Sequence, residues 1–107
     1  MQAKQELVAE IGTFDDRGLL EAILPYIDDH GDDVRCTSIE VVVDKKLESA
    51  YPRLVEMITE TMHSGRVLRA AASAVSKLGL EVDATRALAP EVMEDFSVKD
   101  GKLISSR

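Results

Sequence analysis

Asp33-Val34-Arg35 opens one amphipathic stretch of this chain, and Val67-Leu68-Arg69 opens a second stretch 34 residues later. The same offset joins further apolar positions: Leu20 with Leu54, Ile23 with Met57, Leu24 with Ile58, and Val41 with Val75. A recurrence of this length is typical of stacked helical pairs, because each pair covers its apolar face with a neighbour. The sequence therefore predicts an all-α chain, built as an α-α superhelix of stacked antiparallel helix pairs.

Composition agrees with helix packing. The chain has 107 residues, of which 45% are apolar, with only four aromatic side chains and no Trp. Aliphatic side chains must then form the core, and aliphatic cores suit packed helices. A chain of this length predicts a single domain, residues 1–107.

Charge and cysteine content narrow the function classes. Residues 1–50 hold five Lys/Arg against twelve Asp/Glu, whereas residues 51–107 hold eight against eight. Such an acidic half repels phosphate backbones and anionic lipids, so neither nucleic-acid binding nor membrane binding is expected. The single cysteine, Cys36, leaves no intrachain disulfide and favours a reducing compartment. The first residues carry no apolar leader run, and no run reaches membrane-spanning length. We expect a cytoplasmic protein.

Apolar periodicity predicts six helices, over about residues 3–12, 17–29, 33–46, 50–63, 65–78 and 84–94. Pro25 predicts a kink or an early end of the second helix near Leu24, and Pro90 is expected to split the sixth. The third segment contains the β-branched residues Ile39, Val41, Val42 and Val43. These residues would also suit a strand, but the flanking caps favour a helix.

Turn and cap residues mark the ends of these segments. The expected N-caps are Asp15 or Asp16, Asp32 or Asp33, Ser49 and Ser64, and the expected left-handed helix ends are Gly31 and Gly79. Near the C-terminus, two alternating triplets flank Asp100-Gly101, a dipeptide that suits a tight hairpin turn. The helical repeats would then cover about residues 3–80. A capping helix and a small β-hairpin would follow, over about residues 84–106.

The chain resembles the HEAT-repeat proteins, α-solenoids of antiparallel helix pairs. The stretch Leu19–Ile27 is similar to the HEAT first helix with its internal proline, and Asp32-Asp33-Val34-Arg35 is similar to the acidic turn that leads into the second helix. The second copy departs, since Ser64-Gly65-Arg66 replaces the acidic turn. The spacing is also shorter than about 40–47 residues. Tetratricopeptide repeats have this spacing, but their Trp, Gly and Tyr pattern is missing here, so the short bacterial HEAT-like type is the closer comparison.

The resemblance implies roles for particular residues. Asp33, Val34, Arg35 and Arg69 would form the structural repeat signature, with both arginines bonded to acidic loops of adjacent repeats. The second helix of each pair would line a concave surface that binds a partner. The positions of this chain that would face outward there are Thr37, Glu40, Asp44, Ser73 and Lys77.

No motif for catalysis or for a metal stands out. The cluster Asp28-Asp29-His30-Gly31-Asp32-Asp33 fails the calcium-loop pattern and is interpreted as a solvated turn with capping residues. Neither His30 nor His63 has a second His or Cys at zinc-ligand spacing. Cys36 corresponds to Ala70 in the other repeat and is interpreted as a packing residue. We therefore expect no cofactor, no metal and no enzymatic activity.

Two functions remain open from the sequence. The first is a non-enzymatic helical-repeat module that binds another protein as a scaffold. The alternative is an accessory protein of an enzyme system, since some short HEAT-like proteins resemble the lyases that attach bilin chromophores. The chain offers only two and a half repeats, so Leu7, Val8 and Ile11 on the N-terminal helix are expected to be partly exposed. Exposure there predicts either a homo-oligomer formed through that helix or an upstream partner domain that covers it.

Overall fold

The computed structural model describes residues 4–83 and 85–105, and most of these residues are helical. The α-helices are α1 (Lys4–Ile11), α2 (Arg17–Glu21), α3 (Asp32–Lys45), α4 (Tyr51–Met57), α5 (Gly65–Leu78) and α6 (Pro90–Met93). Two short 3₁₀ helices cover Leu24–Asp28 and Glu48–Ala50, and an antiparallel hairpin pairs β1 (Phe96–Lys99) with β2 (Lys102–Ser105). The prediction of a mostly helical chain with a small C-terminal hairpin is confirmed.

The described residues form two compact units, which divide between Ala50 and Tyr51. In the first unit, α1 and the 3₁₀ helix Leu24–Asp28 both pack against α3. The largest fully buried side chains of this unit are aliphatic: Val8, Leu20, Ile23, Ile27, Ile39, Val42 and Leu47. All of these side chains except Leu47 lie in segments that apolar periodicity predicted as helices.

In the second unit, α5 contacts α4, α6 and β2. Its buried side chains include Val67, Leu68 and Val75, and the small Ala71, Ala72 and Ala74 lie between them. Small side chains let neighbouring backbones approach closely, so α5 can be the central element of this unit. Ala89 supports the packing through its backbone N–H, which donates to the Ile58 carbonyl at 2.8 Å.

A continuous second helix over residues 17–29 is wrong, although the expected early end is confirmed. Asp16 caps α2 by accepting from the N–H groups of Gly18 and Leu19, and the helix ends at Glu21. The 3₁₀ helix that follows carries Pro25 in its first turn. Proline has no N–H, and its ring would clash with the carbonyl of residue 21 in a continued α-helix.

The start of α3 also differs from the expectation. Gly31 is the N-cap residue in an extended conformation, with φ −94° and ψ 127°, and no side chain caps the helix. The predictions of a left-handed Gly31 and of a cap at Asp32 or Asp33 are therefore wrong. Asp29 organises the turn, because its carboxylate accepts from the Gly31 N–H at 3.0 Å. The bond from Gly31 is the largest cause that lowers the pKa of Asp29, and the bond from Lys4 is the second.

Two further helices are shorter than expected. α4 ends at Met57, and the Thr59 hydroxyl donates to the Glu56 carbonyl at 2.7 Å, a local bond that competes with a continued helix. Ser49 does not act as the predicted N-cap: it lies in the 3₁₀ helix Glu48–Ala50, and its hydroxyl donates to Glu21.

Pro90 opens α6 rather than splitting a longer helix. Residue 84, where that longer helix was predicted to begin, lies outside the described residues.

The signals at α5 and at the hairpin are confirmed. Ser64 accepts from the Val67 N–H at the start of α5, and Gly79 ends the helix in the left-handed region with φ 64°. In the hairpin turn, Asp100 and Gly101 have φ of 54° and 76°. Both angles match the tight turn that an Asp-Gly pair favours. The third segment is a helix throughout, so its strand alternative is excluded.

Candidate partner-binding groove

Three of the five predicted partner-binding residues line one groove in the first unit. Thr37, Glu40 and Asp44 follow one another along α3, and Ala9, Gly12 and Thr13 face them from α1 and its C-terminal turn. Val41 completes the lining of a cavity of about 360 Å³. The lining thus combines small apolar groups with hydroxyls and carboxylates.

A glycine permits the close approach of the two elements that form this groove. A Cβ added at Gly12 would stand 2.6 Å from Val41 Cγ2, closer than two carbon atoms can approach without repulsion. Gly12 follows α1 directly, and its N–H donates to the Val8 carbonyl at 3.0 Å. Gly12 is the last residue of the first predicted helix, over about residues 3–12, and its contact with Val41 is a tertiary feature.

The rim of the groove is acidic. Glu40 and Asp44 are exposed and stand one helical turn apart on α3. Two other carboxylates of this unit pair with lysines: Asp29 with Lys4 and Asp15 with Lys45, each at 3.1 Å. Within residues 4–83 and 85–105, neither Glu40 nor Asp44 has such a pair. A positive group in the groove would therefore relieve the repulsion between two like charges.

The other two predicted partner-binding residues lie in the second unit. Ser73 is half-buried and Lys77 is exposed, and both belong to α5. Their spacing of four residues places them on one side of that helix. Their shared role with the α3 residues stays a prediction.

The repeat signature is buried at Val34 and Arg35. Arg35 is only 8% exposed, and its Nε–H donates to the Ile27 carbonyl at 2.7 Å. Its Nη2 lies 3.9 Å from a carboxylate oxygen of Asp28. The guanidinium thus joins α3 to the end of the preceding 3₁₀ helix inside one unit. Asp33 is exposed in the first turn of α3, where a negative charge is favourable.

Arg69 occupies a different environment from Arg35. It is exposed on α5, and its guanidinium lies back over the start of the helix. A Cβ added at Gly65 would stand 3.1 Å from Arg69 Nη1. The bond to an adjacent repeat that the resemblance implies for each arginine stays a prediction.

The second unit contains a polar network that the sequence did not predict. The imidazole of His63 is 5% exposed, and its Nε2–H donates to Glu60, whose other carboxylate oxygen accepts from Arg53 at 3.1 Å. Burial alone would raise the pKa of Glu60, but the bonds from His63 and Arg53 outweigh it and lower that pKa. The spacing of Glu60 and His63 was the available signal, although such pairs are common on solvated surfaces.

The lowered pKa of Glu60 predicts a pH-dependent contribution to stability. A carboxyl group with a depressed folded pKa stabilises the fold above its ordinary pKa, and that contribution is lost as the pH falls through the folded value. We expect Glu60→Gln to lower the free energy of unfolding by about 1 kcal/mol at pH 7. Urea denaturation should show this difference shrinking as the pH falls from about 5 to 3. A difference that stays constant over this range would contradict the assignment.

Other candidate sites are weak. Among the described residues, no three His, Cys, Asp or Glu side chains group as metal ligands. Cys36 is buried in α3.

The predicted exposure of the N-terminal helix is found at two of its three residues. Leu7 is 37% exposed and Ile11 is half-buried, but the expected partial exposure of Val8 is wrong because that side chain is fully buried. In the same described part of the chain, no helix has the length and apolar character that crossing a bilayer requires.

Comparison with protein-family models, with curated proteins and with solved structures gives no significant match for this chain.

Proposed function

We propose that this chain is a non-enzymatic, short HEAT-like module that binds another protein through the groove of its first unit. The observation that carries the proposal is the groove itself, which three sequence-predicted positions line together with small apolar groups: Thr37, Glu40 and Asp44. The HEAT-like superhelix and a cytoplasmic setting belong to the same proposal. They rest on the 34-residue recurrence and on the single cysteine.

The groove chemistry indicates the kind of segment that would bind. Glu40 and Asp44 would attract a Lys or Arg side chain, whose aliphatic stem could cover Ala9 and Val41. The hydroxyl groups of Thr13 and Thr37 add adaptable polar contacts at the rim. Because exposed charges are screened by salt, binding of this kind weakens as ionic strength rises.

Affinity capture with matched charge variants tests this function. The groove variant carries Glu40→Lys and Asp44→Lys, and the control carries Glu6→Lys and Glu48→Lys, at exposed positions outside the groove lining. Both variants change the net charge equally. We expect parent and control to recover the same protein from the source cells, and the groove variant to recover at least about tenfold less.

Purified partner should then bind the parent directly, with an affinity that falls as salt is added. Equal recovery by the groove variant would contradict the assigned surface. Recovery of no specific protein by the parent would count against the binding function itself.

A further inference from the structure

Helix α5 carries a row of polar side chains on its exposed side. Arg69, Ser73 and Lys77 follow one another at intervals of four residues, so they form one row along the helix. Arg69 and Lys77 are exposed, and Ser73 between them is half-buried. The helix contains no Asp or Glu, so none of its own carboxylates balances these charges. This row, the cationic ridge, therefore has a positive charge on each side of a small centre.

The groove of the first unit carries the opposite charges. Glu40 and Asp44 lie four residues apart on α3, and both are exposed. In the part of the chain that the structure describes, these two carboxylates and the two cations Arg69 and Lys77 form neither an ion pair nor a hydrogen bond. All four charged groups are therefore available to a second molecule.

The spacings of the two charge pairs are compatible. At about 1.5 Å per residue, Arg69 and Lys77 are about 12 Å apart along α5, whereas Glu40 and Asp44 are about 6 Å apart along α3. With α5 lying along the groove and Ser73 at the middle of the carboxylate pair, each cation is about 3 Å beyond its carboxylate. The long, flexible stems of Arg and Lys can cover such an offset. Two ion pairs can therefore form together.

The shapes of the two surfaces are also compatible. The groove lies between α1 and α3, and Ala9, Gly12 and Thr13 on its α1 side are small residues. Ser73 at the centre of the ridge is small, and so is the neighbouring Ala70. Helices commonly pack by placing a row of side chains four residues apart into a groove of the neighbour. Small residues on both sides allow α5 to approach the groove closely.

We propose that the cationic ridge of a second copy of this chain lies in the groove, with its two cations paired to Glu40 and Asp44. Charge complementarity favours this occupant, because residues 1–50 hold the whole negative surplus of the chain and α5 has no carboxylate. Each copy offers one groove and one ridge, so the contact is head to tail. Exposed ion pairs are weak and are screened by salt, so the association needs high protein concentration and low ionic strength.

The contact also controls access to the groove, and this step rests on the proposed function. A groove that holds the ridge of another copy cannot bind a partner segment at the same time, because both occupants use Glu40 and Asp44. Self-association therefore competes with partner binding. The self-association itself does not depend on the existence of a different partner.

Sedimentation velocity with charge variants tests the contact. From about 10 μM to about 1 mM protein, the mean mass of the parent should rise in about 20 mM salt and stay monomeric in about 0.5 M salt. The ridge variant carries Arg69→Glu and Lys77→Glu, and the groove variant carries Glu40→Lys and Asp44→Lys. Each variant alone should need at least about tenfold higher concentration, because like charges then meet at the contact.

An equimolar mixture of the two variants tests the pairing itself. The ridge variant keeps the native groove and the groove variant keeps the native ridge, so the mixture should associate within about threefold of the parental concentration. A control with Arg86→Glu and Lys99→Glu changes the net charge as the ridge variant does, at exposed positions outside α5. The control should also stay within about threefold of the parent. Circular dichroism should show the parental fold for every variant.

Several results would overturn the proposal. A parent that stays monomeric at about 1 mM in low salt would do so, as would a mixture that associates no better than its components. Equal weakening of the ridge variant and its control would assign the effect to net charge and not to this contact. Loss of the association on Leu7→Glu would assign it to the N-terminal helix instead.

Affinity capture with the ridge variant separates this inference from the proposed function. The groove of this variant is intact, so it should recover the partner protein at least as well as the parent does. Self-association without any recovered partner would contradict the proposed function alone. A recovered partner together with a monomeric parent would contradict this inference alone.

Discussion

Replacing Arg35 by alanine is expected to lower the free energy of unfolding by about 2–3 kcal/mol, the usual cost of losing a buried hydrogen bond to a charged group. The guanidinium bonds the carbonyl of Ile27, a fully buried residue, and alanine would leave that carbonyl without this donor. Urea denaturation of the parent and the variant measures the effect directly. A variant with the parental midpoint and slope would contradict a structural role for Arg35.

Two matched variants sharpen this test. Arg35→Lys keeps the charge but lacks the planar donor geometry, so it should recover only part of the lost stability. Arg69→Ala changes the residue that the 34-residue recurrence equates with Arg35, but that side chain is exposed. We expect its effect to stay within about 0.5 kcal/mol, as for other surface substitutions. Similar losses for Arg35→Ala and Arg69→Ala would instead support equal roles for both arginines in the HEAT-like pattern.

Adding one methyl group at Gly12 is the second change with a large expected effect. The Cβ of Gly12→Ala would stand 2.6 Å from Val41 Cγ2, and the stiff, branched Val41 side chain has little freedom to move away. Overpacking of this kind costs about 1–3 kcal/mol. Thermal or urea denaturation should show the loss. The groove formed by α1 and α3 should widen as these elements separate.

Val41→Ala provides the control for Gly12→Ala. If the two side chains collide, the double variant should recover at least about 1 kcal/mol relative to the sum of the single losses. Losses that simply add would show that Gly12 acts through its backbone conformation and not through the contact with Val41. The same double variant should restore partner binding if the width of the groove limits that binding.

Local signals predicted some elements closely. Ser64 and Gly79 bound α5 because a side-chain cap and a left-handed glycine act within a few residues of the chain. Asp100-Gly101 likewise determines the hairpin turn, and Pro25 ends the second helix early. In each case the chemistry that sets the structure lies within one turn of the residue concerned.

The same kind of signal failed where several residues could do one task. Asp32 and Asp33 both suit an N-cap, but Asp29 holds the turn by accepting from Gly31, so Gly31 takes the cap position. Ser49 also has good capping chemistry, yet its hydroxyl donates to Glu21. A polar side chain close to a helix end bonds the donor or acceptor that the fold brings nearest, and that choice is not local.

Part of the candidate site follows from local sequence, and the rest depends on tertiary packing. Helical spacing by itself determined that Thr37, Glu40 and Asp44 share one side of α3, because positions three and four residues apart meet on a helix surface. Only the tertiary structure decided that α1 lies beside them, that Gly12 contacts Val41, and that Glu60, His63 and Arg53 form a network. Periodicity specifies which face of a helix is apolar. The element that covers this face is set by close packing between segments distant in the chain, which no short stretch of sequence encodes.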